Sequence, residues 1–109
     1  MSKIGDRIGA LIGGDPETKV LKYLGVGTYQ GDETPPPEAG GFNIGLPCPK
    51  LVLDNGDVVY GCECWWGPET VIANQLDEYR KHGYTIVTTP IVEFRAEVAA
   101  VRKEAETKH

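Results

Sequence analysis

The sequence predicts an α+β fold, in which a small, bent antiparallel sheet of about five strands packs against one or two helices. Three observations support this class. Asn55-Gly56 lies between two β-branched runs, which is typical of a β-hairpin. Apolar residues at helical spacing follow Pro68 and recur from residue 91. The length of 109 residues suits one hydrophobic core, so we expect residues 1–109 to form a single domain.

A first hairpin is predicted near the start of the chain. Apolar residues alternate over about 6–12, which indicates a strand, and the glycines there disfavour a helix. A turn at Asp15-Pro16-Glu17-Thr18 leads into a second strand at 20–29, whose glycines predict a bend or a bulge. Residues 31–49 then hold five prolines and four glycines and predict a long loop, in part extended at Pro35-Pro36-Pro37.

The second hairpin begins at Leu51 and turns at Asn55-Gly56, and its second strand is predicted to continue to Trp66. A helix is predicted over about 68–82, because Pro68 suits a first helical position and Gly83 suits a left-handed C-terminal cap. A last strand covers 84–88.

A C-terminal helix is predicted over about 91–106, within a C-terminal segment of helix and tail at 91–109. Its first residues, Ile91-Val92, could instead prolong the strand. Two hairpins, a helix and a last strand are the order of elements in an SH3-like barrel, so either an open bent sheet or such a barrel fits the pattern.

One stretch of the sequence is distinctive as a string. It reads Gly61-Cys62-Glu63-Cys64-Trp65-Trp66-Gly67-Pro68-Glu69. Together with Tyr23 to Tyr29 and the Pro/Gly loop, this GCECWWGPE-type motif resembles an uncharacterised family of small bacterial and phage proteins. The resemblance covers about residues 4–70 and implies a prokaryotic or phage origin and a compact SH3-like fold, but no particular activity.

The charge pattern excludes several classes of function. Sixteen acidic and eleven basic residues give a net charge of −5, with no stripe of Lys and Arg, so we expect no direct nucleic-acid binding. No apolar run approaches the roughly 18 residues of a membrane span, and charges interrupt the first residues, so we expect neither membrane insertion nor a secretory signal. The odd number of cysteines predicts a reduced, cytoplasmic protein.

The cysteines are the one candidate metal site. Three thiols and an imidazole would suit zinc, although the one-residue gap between Cys62 and Cys64 is shorter than zinc sites use. Buried, reduced cysteines explain the pattern better, so we expect no cofactor and keep zinc as an alternative. The alternative ligands are Cys48, Cys62, Cys64 and His82. Neither His82 nor His109 lies in a recognisable nucleophile motif, which disfavours an enzyme.

The adjacent indoles of Trp65 and Trp66 indicate a binding surface. Neighbouring side chains on a strand face opposite ways, so one indole can fill the core while the other needs a cover or a ligand. That cover could be the proline loop or the C-terminal helix. The start of the following helix could hold an anion, although Glu69 competes for that position. The candidate binding residues are Tyr29, Phe42, Trp65, Trp66, Gly67 and Glu69.

These features predict a non-enzymatic binding module that holds a protein partner or a small ligand through its Trp/Tyr surface. One alternative is a phage counter-defence protein that sequesters a small anionic, nucleotide-type signal. Another is a small zinc protein. An uncovered indole on a small acidic domain also makes a homodimer plausible.

Overall fold

One long strand connects the two halves of the sheet. The computed structural model describes residues 3–37, 39 and 46–107, and within them β2 (Val20–Glu33) is the longest strand. The other elements, in chain order, are β1 (Arg7–Asp15), β3 (Cys48–Leu53), β4 (Val58–Tyr60), β5 (Trp65–Pro68), α1 (Glu69–Lys81), β6 (Thr85–Thr88) and α2 (Ile91–Thr107). The predicted α+β class, a bent sheet with two helices, is confirmed.

The strands lie in the order β4-β3-β2-β1-β5, and all these neighbours pair antiparallel. Strand β6 is a sixth strand and pairs parallel with the first residues of β2, because α1 carries the chain across the sheet before β6 begins. In the described part of the chain β4 and β5 end the sheet without pairing with each other, so the sheet is open.

Glycines bend the sheet where β1 crosses β2. The register between these strands shifts on both sides of Leu11, and Gly25 takes a φ of +137° that side chains rarely adopt. Gly27 allows β3 to approach closely, since a Cβ there would collide with the carbonyl oxygen of Val52. The glycines of the predicted second strand therefore bend it, as expected from the sequence.

Each face of the sheet has its own apolar core. Along β1, Ile8 and Ala10 point to one face and Leu11 to the other, as the two-residue period of a strand requires. The Leu11 face packs against Ile72 and Leu76 of α1. The opposite face is filled by buried residues from four strands and the start of α2: Ile8, Ala10, Leu24, Leu51, Leu53, Val59 and Ile91.

The Asn-Gly hairpin forms as predicted and also positions α2. Gly56 has a φ of +95°, and the Leu53 N–H donates to the Asp57 carbonyl oxygen at 2.8 Å. Ile91 is the first residue of α2, and its N–H donates to the Asp57 carboxylate at 3.1 Å. A carboxylate is stabilising at this positive end of a helix, so the hairpin fixes where α2 begins.

Two predicted boundaries are wrong. The strand expected to continue to Trp66 ends at Tyr60, because a turn at residues 61–64 redirects the chain and β5 then pairs with β1. The loop expected over 31–49 is shorter at both ends, since β2 continues to Glu33 and β3 begins at Cys48. The C-terminal helix begins at Ile91 as predicted, so Ile91 and Val92 belong to α2 and do not prolong β6.

A partly buried ion pair attaches α2 to the turn at 61–64. Arg95 donates to both carboxylate oxygens of Glu63, at 2.8 and 3.0 Å, and to the Val58 carbonyl oxygen at 3.0 Å. The side chains of Arg95 and Glu63 are only 19% and 5% exposed. Glu63 also accepts the N–H of Tyr60 at 3.0 Å, so this carboxylate shapes the turn as well.

We expect Gly27→Ala to destabilise the protein by about 2–3 kcal/mol, because its methyl group would overlap the backbone of β3. Gly67→Ala is the matched control, since its Cβ would meet only the Ile72 Cδ1 at 3.9 Å. Urea denaturation of both variants measures the free energies of unfolding. Equal stabilities for the two variants would show that β2 and β3 are not in this close contact.

We expect Arg95→Met to cost about 3–5 kcal/mol, because it leaves Glu63 charged and buried without its partner. Arg80→Met is the control, since the Arg80–Asp77 pair is more than half exposed and such pairs contribute about 0–1 kcal/mol. Thermal and urea unfolding followed by circular dichroism compare the two. If Arg95→Met lowers the free energy of unfolding no more than Arg80→Met does, the Arg95–Glu63 pair does not have this structural role.

Candidate functional site

The two adjacent tryptophans lie on opposite faces of the sheet. In β5, Trp65 pairs with Leu11 and Trp66 pairs with Ala10. Since Leu11 belongs to the face under α1 and Ala10 to the opposite face, the two indoles are separated by the sheet itself. Trp65 is 62% exposed, whereas Trp66 packs against the core. One indole thus fills the core and its neighbour remains at the surface.

Trp66 and Tyr29 form a stacked pair. Their ring centroids are 5.8 Å apart and their planes differ by 8°. The Tyr29 hydroxyl donates to the Asp32 carboxylate at 2.8 Å, and this bond, followed by desolvation, raises the pKa of Tyr29. A Cβ at Gly61 would lie 2.6 Å from the Trp66 Nε1, so glycine is needed where the turn crosses the indole. These contacts give Trp66 a packing role.

Trp65 borders a groove between β1 and α1. The groove has a volume of about 620 Å³. Its lining is mostly apolar and aromatic, with two amides and one carboxylate, from Leu11, Ile12, Gly13, Trp65, Val71, Asn74, Gln75, Glu78 and Tyr79. A concave, largely apolar surface with a few polar groups is the usual form of a binding site. We call this feature the Trp65 groove.

The helical period of α1 builds one wall of this groove. Ile72 and Leu76 face the sheet and are buried, so the residues beside them in the helix lie along the edge of the contact. Val71 is 46% exposed, and Asn74 and Glu78 are exposed on the same border. The wall therefore offers apolar surface together with hydrogen-bonding groups.

The start of α1 is neutralised by side chains of the protein. Glu69 accepts the Arg7 Nε at 3.0 Å, and the other guanidinium nitrogens of Arg7 donate to Asp54 at 2.8 and 2.7 Å. Hydrogen bonding to Arg7 holds the pKa of Asp54 below its ordinary value. Two carboxylates thus share one cation beside the helix end that the sequence suggested as an anion site, with Glu69 as a competitor. Gly67 lies in β5 just before it.

The structure distributes the remaining predicted site residues over separate places. Within the described residues, no three His, Cys, Asp or Glu side chains are grouped so that they could hold a metal ion. His82 follows the last residue of α1, and Cys64 lies against the core with its thiol 3.6 Å from the Tyr60 carbonyl oxygen. Phe42, a predicted binding residue, lies outside the described residues, as does His109.

Two of the cysteine thiols have pKa values well above the ordinary one. Burial, followed by the charge of Glu63, raises the pKa of Cys64 to about 12. Burial, followed by a hydrogen bond with the Cys48 thiol, raises the pKa of Cys62 to about 11. Both thiols are therefore largely protonated at neutral pH, which is unfavourable for a catalytic nucleophile.

Comparison with family models, with curated proteins and with solved structures finds no match for this chain. Within the part of the chain that is described, no helix is long and apolar enough to cross a membrane.

The sequence indicated that Trp65 and Trp66 face opposite sides of a strand, without choosing which indole lies at the surface, and it missed the residues that complete the groove. Ile12 and Val71 are apolar positions that the sequence pattern assigns to a strand and a helix core. The exposed border of α1 was visible as Asn74, Gln75 and Glu78 beside the apolar stripe. What the sequence did not contain was the pairing of β5 with β1, which brings Trp65 next to that border.

We expect Trp65→Ser and Trp66→Ser to differ strongly in stability. The Trp66 change removes a packed indole and its stack with Tyr29, which should cost about 3 kcal/mol or more. The Trp65 change should cost less than about 1 kcal/mol, because the side chain is 62% exposed. Urea denaturation with a far-ultraviolet circular dichroism signal provides both values. Comparable losses would mean that Trp65 is also a core residue.

Proposed function

We propose that this protein is a non-enzymatic binding module that holds a protein partner in the Trp65 groove. The observation that supports the proposal is the exposed indole of Trp65, which borders an apolar concave surface instead of packing inward. Trp is among the residues that most often dominate the binding energy of protein interfaces. Large apolar side chains grouped at a surface are also typical of interaction sites.

The chemistry of the groove favours one class of occupant. Trp65 and Val71 would receive an apolar or aromatic side chain, and the amides of Asn74 and Gln75 can donate and accept hydrogen bonds. Glu78 is the one charged residue in the lining, and it pairs with Lys81 at 3.2 Å. The complementary partner therefore presents an apolar side chain next to a group that can hydrogen-bond to the two amides.

The same lining disfavours an anionic ligand. It contains no Lys or Arg, and the cation nearest to its one carboxylate, Lys81, is already paired with that carboxylate, Glu78, at 3.2 Å. At the nearby start of α1, Arg7 is engaged by Asp54 and Glu69. Sequestration of a nucleotide-type signal, the alternative expected from the sequence, would need a cation that this groove does not offer.

Burial of Trp65 would supply a substantial share of the binding free energy. An aromatic side chain exposes about 150–250 Å² when uncovered, and apolar burial contributes about 25 cal/mol per Å². Covering the 62% of Trp65 that is exposed therefore contributes about 3 kcal/mol. That corresponds to roughly a hundredfold in affinity.

The proposal places the module in the cytoplasm of a bacterium or of a phage-infected cell. The support is the resemblance of residues 4–70 to small bacterial and phage proteins and the three free thiols. A homodimer through the Trp65 groove is the same proposal with a second copy as the partner.

The test is site-specific photo-crosslinking. A photoreactive phenylalanine analogue is introduced at Val71, inside the groove, and at Val92, which is 69% exposed on α2. We expect the Val71 probe to yield a crosslinked protein that the Val92 probe does not, and Trp65→Ser in the same chain to reduce its yield at least tenfold. The reason is the loss of the burial energy of the indole.

Two crosslinking results would count against the proposal. The same crosslinked species from Val71 and Val92, or a yield from Val71 that Trp65→Ser leaves unchanged, would contradict a partner site in the groove. Native mass spectrometry of gently purified protein separates the alternatives, because a bound small molecule or metal adds its own mass and a dimer doubles that of the chain.

A further inference from the structure

Cys48 and Cys62 lie at the same end of the β3–β4 ladder. These strands pair Lys50 with Tyr60 in an antiparallel register. Cys48 is the first residue of β3, two positions before Lys50, and Cys62 lies in the turn, two positions after Tyr60. The sequence indicated these cysteines as core residues or alternative zinc ligands and not as a bridged pair.

The backbone geometry at this position suits a covalent bridge. The Gly61 N–H donates to the Pro49 carbonyl oxygen at 2.8 Å, one position beyond the last strand pair and at the start of the turn. This bond holds the backbone next to Cys62 against the backbone next to Cys48, at a place where facing residues of an antiparallel ladder would have Cα atoms about 4.5 Å apart. A disulfide requires a Cα separation of about 4.4–6.8 Å.

The thiols themselves are close together. The Cys62 thiol is within hydrogen-bonding reach of the Cys48 thiol, and the two differ in access. Cys48 is buried with Ala39 and Tyr60 in a small cluster separate from the core beneath the sheet. Cys62, in contrast, is exposed. Cys64 packs against the core beneath the sheet, so it does not compete as a partner.

We propose that Cys48 and Cys62 form a reversible intramolecular disulfide by exchange with a low-molecular-weight disulfide, while Cys64 remains a thiol. The pKa of Cys62 is raised to about 11, so only the small thiolate fraction of this exposed thiol attacks one sulfur of the oxidant, and alkaline buffer increases that fraction. The S–S bond of the oxidant breaks, one thiolate leaves, and a mixed disulfide remains on Cys62.

The buried partner completes the exchange. Cys48 loses its proton, attacks the Cys62 Sγ and releases the second half of the oxidant as a thiolate. The two departing thiolates take up two protons. The cysteine pair has then lost two electrons and two protons, and the oxidant has become two thiols.

The disulfide would restrict the motion of the turn that carries Glu63 and leads into β5. It closes the loop of residues 48–62 and so restricts the unfolded chain, which stabilises the folded protein. The turn at 61–64 is the element that directs Trp65 and Trp66 to their two faces. Oxidation would therefore make the support of the Trp65 groove more rigid, whatever occupies the groove.

The experiment exposes the folded, reduced protein to oxidised glutathione in mildly alkaline buffer. We expect the number of thiols titrated after denaturation to fall from three to one per chain and the intact mass to fall by two hydrogen atoms. Peptide mapping should join the peptides of Cys48 and Cys62, and the bridged protein should unfold at a higher temperature. Cys64→Ser is the matched control and should still form the bridge, leaving no free thiol.

Other products would overturn the proposal. These are three unreacted thiols, a glutathione adduct on Cys62 that Cys48 does not displace, or a disulfide-linked dimer on a non-reducing gel. Cys62→Ser changes an exposed position and should fold normally, and it should keep both remaining thiols. A bridge between Cys48 and Cys64 in that variant and in the wild type would show that the ladder does not select the pair.

Discussion

The rest of the structure depends on β2, which pairs with β1, β3 and β6 at once. One edge of this strand lies along β1, and the other edge pairs first with β6 and then with β3. The register of β2 against β1 shifts near Gly25, and Gly27 lets β3 approach the backbone of β2 closely, so glycines at these positions allow one strand to pair with β6 first and with β3 afterwards. The two faces that result receive α1 on one side and the start of α2 on the other.

This arrangement gives the Trp-Trp pair its two roles. Trp66 is fixed by Tyr29 and by the turn at Gly61, and it holds β5 in place against β1. Trp65 then takes its position from its neighbour, because successive side chains of a strand must point to opposite faces. The buried indole of Trp66 thus fixes the strand that presents the exposed indole of Trp65 at the surface.

Local sequence signals predicted the elements that local chemistry controls. Asn55-Gly56 indicated the hairpin because its turn needs positive φ angles, and Gly83 indicated the end of α1, where its φ is +85°. The stripe beginning at Ile91 indicated α2. These features depend on residues within a few positions of one another.

The features that the sequence did not reveal all depend on distant partners. The end of β4 at Tyr60 is set by a turn whose carboxylate, Glu63, binds Arg95 on α2. The parallel pairing of β6 depends on the path of α1 across the sheet. The Trp65 groove depends on the register between β5 and β1, and the approach of Cys48 to Cys62 depends on the register between β3 and β4. Predicting the strands alone gives neither register.

The late position of β6 in the chain has a consequence for biosynthesis. Residues 20–23 are translated early, yet their parallel neighbour spans residues 85–88, which leave the ribosome more than sixty residues later. Until then the nascent chain has an unpaired strand edge at the centre of its future sheet, and such edges are templates for aggregation. Non-local pairing of this kind also slows folding. The first residues of β2 therefore wait longer for their second neighbour during synthesis than the later residues of the same strand, which pair with β3.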